Sequence, residues 1–222
     1  MRKGRIIQSI AGMAIAAACI AGPGAGAMAQ SFSLEFKGGC AATSTFNSSC
    51  PGKTVKDSKT GPIVGAGFGL NLPNEMIRIY GECYYTAKGE QYTMDGNLGE
   101  FKSETCYFHL YPNARFYTPY IPVYVGAGLY MGWASSRKVV SGDTDTPAGD
   151  SPDKYYKGMD MGPRLAIGAE LGVSKVRFVL EGAYELGLAN ISNRDARTIR
   201  NQCFCLSAGL SFMLDNRRYR HY

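Results

Sequence analysis

Past its first thirty residues this chain has no apolar run approaching the roughly 18 residues that a membrane-spanning helix needs, which excludes a helical membrane protein. Tryptophan occurs once, and histidine only as His109 and His221. There is no C-x-x-C and no cluster of cysteine with histidine, so neither a metal nor a cofactor is expected. Charged residues make up 19% of the chain, and the net charge of +6 is spread along it without the concentrated basic face of a nucleic-acid binder. The 28 glycines follow no Gly-X-Y period and proline numbers ten, so collagen and low-complexity readings fail. What is present is 222 residues, 45% of them apolar, enough for one packed domain rather than a disordered chain. Abundant glycine with 15 tyrosines favours β structure, and a membrane β-barrel stays open.

Arg2, Lys3 and Arg5 precede a soft run from Ile6 to Ala21 and small residues ending Ala27-Met28-Ala29, the layout of a secretory signal peptide. Cleavage is expected after Ala29. The first 29 residues hold no acid, so removing those three cations lowers the net charge from +6 to +3. Cys19 follows three alanines but lacks the branched apolar residue of a lipoprotein site. Six cysteines remain, Cys40, Cys50, Cys83, Cys106, Cys203 and Cys205, and export permits disulfides.

From Ser31 onward, apolar and polar residues alternate in eight segments of about ten residues, the length of a tilted membrane strand. Phe32, Leu34 and Phe36 oppose Ser33, Glu35 and Lys37; Val64, Ala66, Phe68 and Leu70 oppose three glycines and Asn71. Ile77, Ile79 and Cys83 oppose Arg78, Tyr80, Glu82 and Tyr84, while Cys106, Phe108 and Leu110 oppose Tyr107, His109 and Tyr111. Val123, Val125, Leu129 and Met131 oppose Tyr124 and Tyr130; Met161, Leu165, Ile167 and Leu171 oppose Asp160, Arg164 and Glu170. Val176, Phe178, Leu180 and Tyr184 face away from Arg177, Glu181 and Glu185, and Phe204, Leu206, Leu210 and Phe212 from Cys203, Cys205, Ser207 and Ser211.

The connections alternate long and short, at residues 38–60, 72–75, 88–100, 112–119, 134–158, 172–174 and 189–200. A β-sandwich gives no reason for this asymmetry. An up-and-down, eight-stranded antiparallel transmembrane β-barrel does, with long extracellular loops, short periplasmic turns and both termini in the periplasm. The domains are then a signal peptide over 1–29, an outer-membrane barrel over 30–214 and a basic tail over 215–222. A soluble lipocalin-like barrel would invert the faces. The polar face holds six acids (Glu35, Glu82, Asp160, Glu170, Glu181, Glu185) and four bases (Lys37, Arg78, Arg164, Arg177) among small glycines, which suits a crowded interior, whereas the bulky apolar face suits lipid.

The chain resembles the PorT-like outer-membrane β-barrel family common in Bacteroidetes. The resemblance rests on Lys157-Gly158-Met159-Asp160-Met161-Gly162 leading into Arg164 to Leu171, on Phe178 to Ile191, and on the closing Leu206 to Phe212. It spans the mature chain and is specific in the last third. It implies a barrel, an outer-membrane address and a secretion-associated assembly role. Two features depart from the family pattern: ten arginine-rich residues follow Phe212, and the fourth strand carries Tyr-Phe-His-Leu-Tyr-Pro-Asn.

An eight-stranded barrel is just wide enough to be filled by its side chains, so Glu35, Lys37, Arg78, Glu82, His109, Asp160, Arg164, Glu170, Arg177, Glu181 and Glu185 are expected to pair as a polar lumen network. His109 would be the general base of an outer-membrane hydrolase, but G-x-S-x-G is absent, and its expected place is toward the periplasmic end. No catalytic residue and no enzyme activity are expected. Cys40 with Cys50 would close part of the first loop, and Cys83 with Cys106, placed nearly symmetrically about the third, would bridge strands three and four. Cys40 with Cys203 is a competing pair. Cys203 and Cys205 share a face whose extended geometry separates them too far for an easy bond. Asp143, Asp145, Asp150 and Asp153 of the fifth loop depart from EF-hand spacing.

The expected role is surface interaction, envelope anchoring or a secretion-associated assembly, the alternatives being a narrow channel or transporter and the lipocalin-like binder. The expected partners are outer-membrane lipid, the barrel-assembly machinery, and an envelope protein reached through the loops or through the tail of Arg217, Arg218, Arg220 and His221.

Overall fold

The computed structural model describes residues 31–46, 53–72, 76–94, 98–141, 144–147, 157–172, 175–192 and 198–214. The signal peptide, the basic tail, Cys50, Asp143, Asp150 and Asp153 lie outside them. Nine strands are described: β1 (Ser31–Phe46), β2 (Lys53–Asn71), β3 (Ile77–Met94), β4 (Leu98–Tyr117), β5 (Val123–Ser141), β6 (Thr144–Pro147), β7 (Met159–Leu171), β8 (Val176–Leu186) and β9 (Arg200–Leu214). All but β6 form one closed antiparallel barrel of eight strands. β1 pairs with β9 from Phe32↔Leu214 to Phe46↔Arg200, and this ladder closes the cylinder. Among the described residues, the short β6 pairs only with the end of β5.

The alternation seen in the sequence is the alternation of the wall. Val64, Leu129, Leu165 and Ile167 are each more than half exposed on the outer face, while Glu35, Tyr80, Arg115 and Tyr124 are at most 1% exposed inside. Apolar side chains therefore face outward and charges inward, which overturns the inverted, lipocalin-like alternative. Outward aromatics flank the apolar band on both sides, as in membrane barrels. Phe32 stacks on Phe68 near one edge, and Tyr85 packs on Phe108 beside Trp133 near the other.

The strands run further than the periodicity indicates. β1 continues to Phe46 and β2 starts at Lys53, within the expected first loop; β3 reaches Met94, β4 spans Leu98 to Tyr117, and β5 extends to Ser141. Alternation marks only the part of a strand that has lipid on one side. Beyond that band both faces can be polar while the backbone ladder continues, as the β3–β4 register does to Met94↔Leu98. β2 to β5 are 18 to 20 residues long against 11 for β8, well over the roughly 9–11 that cross a bilayer.

At the end holding the start of β1 and the finish of β9, the connections are tight. Thr118 Oγ1 donates to the Ile121 carbonyl at 2.7 Å across the β4–β5 turn. Gly172 turns β7 toward β8 at φ +145°, a conformation that side chains with a Cβ rarely adopt.

The staples expected between Cys83 and Cys106 and between Cys40 and Cys203 do not form, while Cys50, the other partner expected for Cys40, lies outside the described residues. Cys83 lies opposite Leu110 and Cys106 opposite Ala87, four residues out of step along the β3–β4 ladder. Cys40 pairs in register with Leu206 and is exposed, whereas Cys203 points into the lumen opposite Thr43. Cys40, Cys83, Cys106, Cys203 and Cys205 are all free thiols.

Candidate functional site in the barrel lumen

The inward positions carry a continuous ionic lattice. Near the tight-turn end, Arg78 donates to Glu170 at 2.7 Å, Arg177 donates to the same carboxylate oxygen at 3.1 Å, and Tyr117 donates to its other oxygen at 2.5 Å. Deeper in, Arg115 grips Glu35 bidentately at 2.8 Å and reaches Glu82 at 2.9 Å. Lys37 bridges Glu82 at 2.8 Å and Glu181 at 3.0 Å. Arg164 joins Glu181 at 3.0 Å to Glu185 at 2.6 Å. Lys88 completes the chain between Glu185 at 2.8 Å and Asp160 at 3.1 Å.

Tyrosines pack between these ions, each supplying a ring face and a hydroxyl. The Arg115 guanidinium lies 3.8 Å from the Tyr80 ring centroid, and Lys88 lies 4.5 Å from that of Tyr130. Tyr84 donates to Glu185 at 2.6 Å and Tyr124 to Glu181 at 2.7 Å. The glycines opposite the tyrosines make the room. A Cβ on Gly168 would stand 2.4 Å from Tyr124 Cζ, so only glycine lets that ring lie flat on the wall.

All eleven residues singled out for the lumen, from Glu35 to Glu185, sit on the inner face of the wall. Sequence reasoning missed two more, Lys88 and Arg115, both 1% exposed and both central to the lattice. With them, the six bases Lys37, Arg78, Lys88, Arg115, Arg164 and Arg177 match the six acids Glu35, Glu82, Asp160, Glu170, Glu181 and Glu185. Among the described residues, interior charge is balanced one for one, as burial in a low-dielectric core favours.

His109 lies near the middle of β4 rather than toward one end, because β4 is longer than its apolar alternation. Its ring stacks on Tyr84 at 4.6 Å, leans on Tyr130 at 5.4 Å, and has no hydrogen bond at either nitrogen. A general base needs a proton to abstract and a group to orient it; the hydrogen bonding of His109 supplies neither. A small void lined by Lys37, Glu82, Tyr84, Arg164 and Ser207 has room for about one water. The site is thus a packed electrostatic core.

Residues 28–193 match the family described as outer membrane protein beta-barrel domain. No curated protein matches the chain. Among solved structures, it is similar to Neisserial surface protein A at 12% identity and TM-score 0.44, over 82% of this chain and 96% of that one. It is also similar to Ail, the attachment invasion locus protein of Yersinia pestis, at 13% identity and TM-score 0.40, over 81% and 98%. The outer membrane protein OprG from Pseudomonas aeruginosa gives 12% identity and TM-score 0.42, over 85% and 98%.

Proposed function

This chain belongs to the outer membrane protein beta-barrel domain family and sits in outer-membrane lipid, and from that premise we propose that it is a sealed, non-enzymatic barrel that holds a rigid platform at the cell surface. The filled, charge-balanced lumen carries this reading. Among the described residues its side chains pair and pack against one another and bury His109, which favours a sealed barrel over a channel, a transporter or a hydrolase. What remains available is the end of the barrel where β2 to β5 outrun the bilayer. A stiff sheet there presents binding residues on a scaffold that does not deform.

In this reading residues 1–29 are removed after Ala29, both mature termini lie in the periplasm, and the barrel-assembly machinery inserts residues 30–214. The basic tail over 215–222 faces the periplasm, where an envelope protein can meet it. The likeness of Arg164 to Leu171, Phe178 to Ile191 and Leu206 to Phe212 to PorT-like barrels supports a secretion-associated assembly as the setting of the surface contact.

An epitope tag inserted between Met94 and Leu98 is expected to bind antibody on intact cells. The same tag inserted between Gly172 and Lys175 is expected to bind only after the outer membrane is permeabilised. The opposite pattern overturns the orientation, and labelling of neither site on intact cells overturns the surface platform.

A further inference from the structure

We propose that the lumen holds a buried site for one thiolate-preferring divalent cation of the zinc class, formed by Cys203, Cys205 and Glu185. Sequence spacing hides it, since two cysteines separated by one residue resemble no zinc motif and the third ligand comes from another strand. The fold supplies that ligand: Glu185 on β8 lies directly opposite Cys203 on β9. The two sulfurs and a carboxylate oxygen all lie within 4.8 Å of one another, and all three residues are buried.

Three observations distinguish the cluster from ordinary packing. The sulfurs approach to 3.3 Å, closer than extended strand spacing implies, because both side chains lean together. Zinc–sulfur bonds of about 2.3 Å on a tetrahedral ion hold two sulfurs roughly 3.8 Å apart, so an opening of about 0.5 Å admits the ion. Glu185 Oε1 accepts from Tyr84 and Arg164, while Oε2 lies 2.8 Å from the Lys88 ammonium, which also pairs with Asp160 at 3.1 Å, so the ion takes Oε2 from a cation that keeps a second carboxylate. Finally, the residues paired with Cys205 on either side are Ala41 and Ala183, both small and buried, so neither neighbouring strand sets a bulky side chain directly opposite that residue.

Charge selects the class of ion. Binding breaks two S–H bonds, forms two metal–sulfur bonds and releases two protons, with no change in oxidation state. A divalent cation replaces those two positive charges, and the one-for-one balance of the lumen is preserved. Soft thiolate ligands favour a zinc-like ion over calcium or magnesium. The wall is closed around the site, so the ion enters as the barrel folds and is then trapped.

The test is to refold the full mature chain into detergent with Zn(II) alone, treat the folded barrel with excess chelator, and measure retained metal. The expected result is one zinc per folded chain, released on boiling. Cys203→Ser and Cys205→Ser are expected to lower retention at least tenfold while keeping the boiling-dependent gel shift, whereas Cys40→Ser and Cys106→Ser keep the ion. Three results overturn the proposal: no zinc after chelation, equal retention in Cys203→Ser, or loss in Cys40→Ser, which marks surface binding. Recovery of Cys203 and Cys205 from native membranes as an intramolecular disulfide also overturns it.

Discussion

Arg115→Ala is expected to destabilise the barrel by about 3–5 kcal/mol, the scale for removing one partner from a buried ion cluster. Arg115 is 1% exposed, donates three hydrogen bonds to Glu35 and Glu82, and covers the Tyr80 ring. Its removal leaves two carboxylates short of countercharge in a lumen that admits almost no water. The cost lies mainly in those stranded charges. Arg115→Met, which restores volume but not charge, is therefore expected to fail nearly as badly, whereas combining Arg115→Met with Glu35→Gln recovers part of the loss. The urea midpoint of the heat-modifiable band reads all three. A midpoint for Arg115→Ala within error of wild type would mean that the lattice does not hold the barrel together.

Leu180→Arg is expected to cost about 2–4 kcal/mol of insertion free energy, the range for a cation on the lipid face near the bilayer midplane. Leu180 points outward from the middle of β8, half exposed, between Ala169 and Ala208 on the neighbouring strands. Arginine there must either stay in hydrocarbon or drag water and headgroups inward. The effect depends on depth, so Ser136→Arg, exposed on β5 beyond Trp133, is expected to be nearly neutral. Comparing the outer-membrane fraction of the two variants separates loss of lipid facing from general intolerance to charge. Equal insertion of Leu180→Arg and wild type would contradict the outward facing.

The facing of every strand was legible because lipid and lumen impose opposite chemistry on alternate residues. A charged residue such as Glu181 beside an apolar one such as Leu180 admits only one arrangement in a membrane wall. Strand ends were less legible, because that contrast vanishes beyond the bilayer, and this concealed two ions. Lys88 falls in an expected loop and Arg115 in an expected turn, although both keep the parity of inward neighbours, Tyr84 and Glu82 for the one and Tyr111 and His109 for the other. The surplus of six acids over four bases was the signal that two buried cations were missing.

The pairing of Cys83 with Cys106 failed for a related reason. Placing the β3–β4 turn about two residues early moves each ladder partner by four, enough to bring Cys83 and Cys106 falsely into register. Contacts set by neighbouring strands, such as Glu185 with Cys203, depend on registers that no local pattern records.

The central claim is that the lumen is sealed, and single-channel recording in planar bilayers tests it most directly. Purified, refolded barrel that shows the boiling-dependent mobility shift is expected to insert without adding any conductance above the bare bilayer. Discrete, reproducible current steps from the same preparation would contradict the account, because ions would then be crossing a core in which Arg115, Arg164 and Lys88 are each bound to carboxylates.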